Sequence, residues 1–303
     1  MLILMRIKIF FAVAIQRTVG RVLAGGKKRP NVQGRIWTNY FARRFLPISV
    51  AAQKIAPESP ETIWQFWDNP RGRTTPGIVN NCFATVEKHR GKFVHKILDN
   101  KTIGDYSDLP GFVFDLLKSG KMRYPHFSDL LRLNLLKNHG GAWQDATGFM
   151  TAGIPDYIGG ADFFVFLVGG QTHFPWSFMQ NFFIRARRGS YLNDAWLAMC
   201  LDFWKAERRE INYFQHQLLF RAMVENDGVA KKLFAQMPHH SEDETLQLVG
   251  NKIFTKFDAG EWARIRDLSF MQKLTYKDGR RSVANPDNYP GTYFAKLANG
   301  EVL

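Results

Sequence analysis

Apolar and polar positions alternate with two different periods from about residue 60 onward. Short apolar runs of strand length are separated by longer segments in which apolar residues recur every three or four positions, as on one face of a helix. The predicted strands are "TIWQFW", "KFVHKILD", "DFFVFLV" and "NFFIRA", and the predicted helices are "PGIVNNCFATVEKH", "LPGFVFDLLKSG", "SYLNDAWLAMCLDFWKAERR" and "NYFQHQLLFRAMVEN". Strands that alternate with helices of this length predict an α/β fold with a mostly parallel central sheet.

Residues 126–147, "HFSDLLRLNLLKNHGGAWQDAT", combine a helix, a tight reversal and a very short strand that ends on an acid. Asp129 and Arg132 are three residues apart and therefore share a helix face. The glycine pair at 140–141 permits a left-handed helix end, and Asp145 follows the strand. Ligands of open α/β sheets bind at the carboxyl ends of strands. We therefore expect these three residues to form a site for a hard cation, phosphate or sugar hydroxyls.

Each of these residues also has an ordinary structural explanation. Asp129 can cap its helix or pair with Arg132, and Asp145 can simply begin a turn. Taken singly, each residue is at least as well explained in this way as by function. Their combination in one short stretch is what favours a functional site.

The formal net charge of +14 is concentrated at the amino terminus. Eleven basic residues and no acidic residue occur through Lys54, and the first acid is Glu58. Of the 41 basic residues, 30 follow Lys54, against 27 acidic residues, which leaves a net charge of +3. A nearly neutral body without a recognised nucleic-acid module argues against nucleic acid as a partner. We divide the chain into a basic, amphipathic arm at 1–57 and one folded domain at 58–303.

The arm has two apolar clusters, and neither is long enough to span a membrane. The run "IFFAVAI" is far shorter than the roughly 20 residues of a spanning helix, and Arg6 and Lys8 interrupt the apolar segment in a way that is unlike a secretory signal. The segment "RIWTNYFARRF" has the pattern of a helix lying in a membrane interface, and equally that of a helix packed on the domain. We expect the arm to bind an anionic membrane surface.

The stretch 126–147 resembles the bacterial capsular polysaccharide synthesis glycosyltransferases. More distantly, it is similar to the sugar transferases with a DXD motif, which include the large clostridial glucosylating toxins. The resemblance extends from about residue 60 to about residue 280 and also includes "TIWQFW", "NFFIRAR", "FWKAERREINYFQHQLLF" and "QKLTYK", in the expected order. The central motif is specific, whereas the flanking motifs alone are weak.

The resemblance implies a glycosyltransferase of the A-type fold, in which residues 58–303 form a single nucleotide-sugar-binding domain with added C-terminal helices. The implied enzyme moves a hexose, with retention, from a nucleotide-sugar donor to a glycan acceptor in capsular or other surface polysaccharide synthesis. A lipid-linked acceptor would place it on the inner face of the plasma membrane, and two cysteines without framework spacing fit the reducing cytoplasm. The alternative is a non-catalytic nucleotide-sugar or glycan binding protein derived from a transferase.

The resemblance also assigns roles to residues of the motifs. Trp64 is expected to stack on the nucleotide base and Trp143 to flank the ribose. Asp129 and Arg132 are expected to hold the sugar hydroxyls. Asp145 is expected to bind the diphosphate and a divalent metal, Mn²⁺ or Mg²⁺.

Position 147 departs from the DXD pattern, because Thr147 stands where the second acid is expected. The metal therefore has one fewer charged ligand. Lys273 is the expected partner of the diphosphate, and Thr292 is expected in a closing loop of the donor site. The loop "GGQTHFPWS", with His173 and Trp176, is either an acceptor-binding loop or an ordinary connection between strands.

Overall fold

The computed structural model describes residues 32–48, 50, 61–69, 74–170, 177–279 and 282–303. The predictions for the apolar run at residues 9–15, for the boundary between residues 57 and 58, and for His173 and Trp176 fall outside these residues. The strands are β1 (Thr62–Phe66), β2 (Val94–Leu98), β3 (Gly141–Gln144), β4 (Gly148–Met150), β5 (Phe163–Leu167), β6 (Met179–Ala186) and β7 (Met271–Lys273). The helices are α1 (Val32–Phe45), α2 (Gly77–His89), α3 (Gly111–Lys118), α4 (Tyr124–His139), α5 (Asp156–Gly159), α6 (Tyr191–Glu207), α7 (Gln215–Asn226), α8 (Gly228–Gln236), α9 (Ala259–Leu268) and α10 (Tyr293–Ala298).

Five strands form the central sheet in the order β2-β1-β3-β6-β5. Strand β1 is parallel to both β2 and β3, whereas β6 is antiparallel to both of its neighbours, so every strand except β6 points the same way. The expected mostly parallel sheet is confirmed. The exception follows from chain length, because only eleven residues join Leu167 to Met179, and parallel neighbours need a crossover of about a dozen residues or more.

A second, two-stranded sheet pairs β4 with β7 in antiparallel register, with Gly148 opposite Lys273 and Met150 opposite Met271. Helices α9 and α10 share a hydrophobic core with α2 and this small sheet. The expected addition of C-terminal helices is therefore confirmed. Their packing fixes the last part of the chain against α2 and the small sheet.

Two glycines connect α4 to β3 at the point where β3 enters the sheet. Gly140 has a φ of 69° and Gly141 a φ of 100°, which are left-handed values that other residues rarely adopt. A Cβ atom on Gly141 would lie 2.1 Å from the carbonyl oxygen of Thr62 in β1. The glycine pair therefore permits both the reversal and the close approach of the two strands, as the sequence predicted for the reversal.

Helix α1 packs into the same core as the central sheet. Phe41 is fully buried, with its ring centroid 5.7 Å from that of Phe203 in α6, and Tyr40 Oη donates to Glu207 Oε1 at 3.0 Å. Arg43 and Arg44 are exposed on the outer face. Of the two interpretations of "RIWTNYFARRF", the packed helix is correct. The predicted arm at 1–57 therefore includes a helix of the domain.

Within the described residues, no helix combines the length and the apolar character needed to cross a membrane.

The burial of α1 predicts a large effect of truncating its central side chain. Phe41→Ala should lower the free energy of unfolding by about 3–5 kcal/mol, because it leaves a cavity in the core. The exposed Arg43→Ala on the same helix should change it by no more than about 0.5 kcal/mol. Urea unfolding of the full chain, followed by circular dichroism, measures both. Equal stability of the two variants would show that α1 does not contribute to the core.

Candidate functional site

Asp145 lies directly after β3, at the carboxyl end of the parallel strands. Its backbone N–H donates to the carbonyl oxygen of Phe182 in β6 at 2.7 Å, and its own carbonyl accepts from the N–H of Gly148 at 2.7 Å. These two hydrogen bonds fix the backbone on both sides of the acid. The strand-end position predicted for Asp145 is confirmed, and this edge of an α/β sheet is where ligands bind.

Three side chains from different elements surround the Asp145 carboxylate. Trp143 Nε1 donates to Oδ1 at 3.0 Å, a guanidinium nitrogen of Arg132 lies 3.5 Å from Oδ1, and Lys273 Nζ donates to Oδ2 at 2.8 Å. Burial raises the pKa of Asp145, but the charges of Lys273 and Arg132 outweigh burial and hold that pKa below its usual value. The carboxylate is therefore ionised at neutral pH, and 27% of the side chain remains exposed.

Lys273 brings the C-terminal part of the chain into this site. Its backbone is fixed by the β4–β7 ladder, and the next residue, Leu274, donates its N–H to the carbonyl oxygen of Thr147 at 2.9 Å. The ammonium group donates to Thr147 Oγ1 at 2.7 Å in addition to Asp145. Position 147 therefore supplies a neutral acceptor for Lys273, where a DXD motif would supply a carboxylate.

Arg132 is buried between α4 and the central sheet, with only 4% of its surface exposed. Its Nε donates to the carbonyl oxygen of Ser128 at 3.1 Å, and another nitrogen donates to the carbonyl oxygen of Asn181. The guanidinium carbon lies 5.0 Å from the centre of the Trp143 ring. Arg132 therefore holds Asp145 and Trp143 in place and presents little surface to a ligand.

Asp129 is also buried, and it is surrounded by donors. Asn181 Nδ2 donates to Oδ1 at 2.8 Å, and Arg132 lies 3.2 Å from the same oxygen. His126 Nδ1 and His216 Nδ1 lie 3.5 Å and 3.7 Å from the carboxylate. Burial raises the pKa of Asp129, but these neighbours outweigh burial, so the pKa lies below its usual value. The predicted pairing of Asp129 with Arg132 is present, inside the protein and not on its surface.

The two histidines beside Asp129 differ in charge preference. Burial lowers the pKa of His216 to about 3, and its ring stacks on Trp196 with centroids 4.1 Å apart. Burial also opposes the charging of His126, but Asp129 and Glu210, whose Oε2 lies 3.0 Å from His126 Nε2, outweigh it and raise the pKa of His126. The cluster therefore contains one histidine, His126, whose protonated form is favoured by its acidic neighbours, and one, His216, that is neutral at pH 7.

The structure contradicts the role predicted for Trp64. Only 2% of Trp64 is exposed, and its Nε1 donates to the carbonyl oxygen of Gly140 at 3.0 Å. Its ring packs against Tyr106 and His139, with centroids 5.4 Å and 5.2 Å away. The side chain belongs to the core because β1 lies between β2 and β3 and is buried on both faces, so Trp64 has no surface for a nucleotide base.

Two other donor-site residues have different positions from those expected. Trp143 is 1% exposed, with its Nε1 on Asp145, so in this structure it orients the carboxylate and does not reach a ribose. Thr292 caps α10, because its Oγ1 accepts from the N–H of Ala295 at 3.3 Å and donates to the carbonyl oxygen of Tyr289 at 2.7 Å. Its hydroxyl is therefore used within its own segment.

Sequence reasoning missed two solvent-accessible aromatic residues, Trp67 at the carboxyl edge of the sheet and Tyr213 beside His126. Trp67 follows β1, at the carboxyl edge, and its ring centroid lies 5.2 Å from that of Tyr276, three residues beyond Lys273. Tyr213 is 55% exposed, and its ring centroid lies 6.1 Å from that of His126. The segment "TIWQFW" contained a signal for Trp67, because this second tryptophan follows the end of the strand. Ligands of α/β sheets bind at that position.

The side chains at Asp145 do not fit a divalent cation as they lie. Hard cations need several oxygen ligands, and the described part of the chain contains no group of three or more histidine, cysteine or acidic residues that could hold one. Lys273 Nζ already lies between Asp145 Oδ2 and Thr147 Oγ1. Repulsion between unit charges 4 Å apart near a protein surface is on the order of 4 kcal/mol. The expected Mn²⁺ or Mg²⁺ stays a prediction.

The fold and the site define an α/β protein with a paired acid and lysine at the ligand-binding edge of its sheet. The family described as capsular polysaccharide synthesis protein matches residues 26–297. Because this match covers most of the chain, the chain belongs to that family. The family expected from residues 126–147 is confirmed.

Two individual proteins are also similar to the chain. An O-glycosyltransferase, braB, from Annulohypoxylon truncatum is 25% identical over an alignment of 181 positions, and the match covers 53% of this chain and 42% of the relative. The chain therefore spans less than half the length of that relative. A solved structure, the PaToxG glycosyltransferase, is 14% identical, with 79% of this chain and 95% of that chain covered at a TM-score of 0.44. That structural likeness is too remote to support an argument.

Proposed function

We propose that the protein is a glycosyltransferase that moves a sugar from a nucleotide-sugar donor to a glycan acceptor during synthesis of a capsular or other surface polysaccharide. The observation that carries the proposal is the Asp145–Lys273–Thr147 arrangement at the carboxyl edge of the sheet. It occurs in a chain of the capsular polysaccharide synthesis family, and the name O-glycosyltransferase of the relative from Annulohypoxylon truncatum supports transfer to an oxygen atom. An A-type fold is part of the proposal.

The proposed chemistry follows from the charges at the site. The bond between the anomeric carbon and the diphosphate oxygen breaks, and its electron pair remains on that oxygen. Lys273 stabilises the developing negative charge as a preorganised donor, which is the strongest form of catalytic assistance in such reactions. Asp145 orients Lys273 and accepts hydrogen bonds from donor hydroxyls. The new bond forms between the anomeric carbon and the oxygen of an acceptor hydroxyl, whose proton passes to the departing diphosphate. The transfer occurs with retention of configuration and with a hexose as the transferred group.

Asp129 and Arg132 act in this proposal mainly as positioning residues. Both are nearly buried, and Arg132 contacts Asp145 and the Trp143 ring directly. The hydroxyl groups of the donor sugar contact the exposed part of the Asp145 side chain. Asp129 and Arg132 affect the donor indirectly, because they hold Asp145 in place. Trp67 replaces Trp64 as the proposed wall for the nucleotide base, because it is partly exposed and lies beside the segment that carries Lys273.

The acceptor is proposed to be a glycan on a lipid, reached at the cytoplasmic face of an anionic membrane. Seven basic residues and no acid occur in residues 1–31. Arg35, Arg43 and Arg44 are exposed on α1 and add to the same charge. Basic residues close to an anionic surface contribute about 1 kcal/mol each. Nucleic acid is not proposed as a partner, because the remainder of the chain is nearly neutral.

A second candidate is a non-catalytic nucleotide-sugar or glycan binding protein. The observation that favours it is Thr147, which removes one of the two acids of the DXD pattern. The two candidates differ in turnover and not in binding. An assay of both quantities on one preparation therefore separates them.

The transferase proposal predicts that Asp145→Asn lowers turnover by about 100-fold or more, because the variant keeps the shape but loses the charge that orients Lys273. The assay is release of nucleoside diphosphate from a panel of nucleotide sugars by the purified full chain. The exposed Asp202→Asn on α6 is the matched control and should keep full turnover. Donor binding without turnover across the panel would favour the second candidate, and normal turnover of Asp145→Asn would remove Asp145 from the site.

The proposed base-stacking wall predicts different effects for two tryptophans of the same segment. Trp67→Ala should weaken nucleoside diphosphate binding about fivefold, because aromatic stacking contributes on the order of 1 kcal/mol. Trp64→Phe should lower the free energy of unfolding and leave the affinity nearly unchanged. Calorimetric titration and urea unfolding measure the two properties. Unchanged affinity in Trp67→Ala would place the base elsewhere.

The membrane proposal predicts that charge in residues 1–31 sets the affinity for vesicles. Replacing Lys27, Lys28 and Arg29 by Gln should weaken binding to anionic liposomes about 100-fold, since each contributes about 1 kcal/mol. Replacing the exposed Lys231 and Lys232 of α8 by Gln is the control and should have little effect. Co-sedimentation with anionic and neutral liposomes measures the binding. Equal binding to both lipids would contradict the proposal.

A further inference from the structure

The ammonium group of Lys273 has one N–H group that is not hydrogen-bonded to the described part of the protein. It carries three N–H groups, and in the described part of the chain two of them are directed to Asp145 Oδ2 at 2.8 Å and Thr147 Oγ1 at 2.7 Å. The side chain remains 23% exposed. Lys273 is therefore held by the protein on one side and open to a ligand on the other.

The position of this ammonium group is fixed by backbone structure. Lys273 is the last residue of β7 and pairs with Gly148, which follows Thr147 directly. The preceding residues, Met271 and Gln272, are fully buried. A lysine anchored in this way loses little conformational freedom on binding a ligand, unlike a lysine on a mobile surface.

The charges at the site match those of a metal-bound acid pair. In a DXD site, two carboxylates and a divalent cation sum to zero. Here one carboxylate, Asp145, and one ammonium group, Lys273, also sum to zero, and Thr147 adds an acceptor without charge. The charge of the buried Arg132 is balanced by that of Asp129. A second acid at position 147 would leave the site with a net negative charge, which would repel a diphosphate. The neutral Thr147 and the positively charged Lys273 therefore together keep the net charge of the site at zero without a metal ion.

We infer that Lys273 takes the place of a divalent cation in this chain, so that the diphosphate of the donor binds through the free N–H of Lys273 without a metal ion. The inference rests on the proposed function, and it identifies the group that contacts the diphosphate. Asp145 serves to position the ammonium group, and Thr147 accepts its second hydrogen bond.

The direct test is calorimetric titration of the full chain with nucleoside diphosphates and inorganic pyrophosphate, once with a chelator and once with MnCl₂. We expect dissociation constants that agree within about twofold in the two buffers. Binding that requires Mn²⁺ would overturn the inference and leave the proposed function in place. Absence of binding in both buffers would instead overturn the proposed function, and the inference with it.

A pair of lysine variants tests the group itself. Lys273→Met keeps the length of the side chain and removes the charge, so affinity should fall at least about tenfold, as for a lost charged hydrogen bond. Lys277→Met, an exposed position on the same segment, is the matched control and should bind normally. Normal binding by Lys273→Met would overturn the inference.

A double variant tests whether Lys273 and a divalent cation can replace each other at this site. Thr147→Asp together with Lys273→Met restores two acids and removes the ammonium group. This protein should bind the nucleoside diphosphate with Mn²⁺ and lose that binding with the chelator, the opposite of the parent chain. Circular dichroism establishes that it is folded. Metal-independent binding by a folded double variant would contradict the assignment to Lys273.

Discussion

The ion pair between Asp145 and Lys273 joins the two sheets of the molecule. Asp145 ends the third strand of the central sheet, and Lys273 ends the second strand of the small sheet. The C-terminal helices pack behind that small sheet, and α4 packs behind Asp145 through Arg132. These elements therefore meet at the carboxylate of Asp145. The position of that carboxylate depends on residues from widely separated parts of the chain.

The polar cluster behind Asp145 is costly to bury, and its acidic groups lie beside basic groups. Asp129, Arg132 and Asn181 bond to one another, and His126 connects the group to Glu210. Buried charges are tolerated where partners and hydrogen bonds compensate for lost hydration. Such a cluster contributes little net stability, but it holds Asp145 and Trp143 in one geometry, which a binding site requires.

Much of the fold could be predicted from the hydrophobic pattern, because strands and helices differ in period. The strand-end position of Asp145 and its connection through two glycines also followed from sequence. The direction of β6 did not, since it depends on the length of the connection from β5 and on which strands become neighbours. Period alone also did not separate the two uses of "RIWTNYFARRF", because a helix buries the same apolar face in a membrane or against a protein.

The site residues were harder to predict than the elements that carry them. Trp64 and Trp67 are three residues apart, and sequence does not reveal that β1 is covered on both faces and therefore hides the first. The hydrogen bonds of Lys273 to Asp145 and Thr147 depend on the β4–β7 register, which two three-residue strands do not specify by pattern. The neutral Thr147 can be explained only from its hydrogen bond with Lys273, which the sequence alone does not show.

The separation of Asp145 and Lys273 along the chain has a consequence for synthesis in the cell. The two residues are 128 positions apart. Translation delivers the amino-terminal part first, so a growing chain carries the strand-end acid long before its cation is made. A nascent chain that has passed Asp145 but not Lys273 therefore lacks the ion pair that joins the two sheets, and its strand-end acid has Arg132 beside it but no lysine. The two sheets can be joined in this way only after residue 273 has been synthesised.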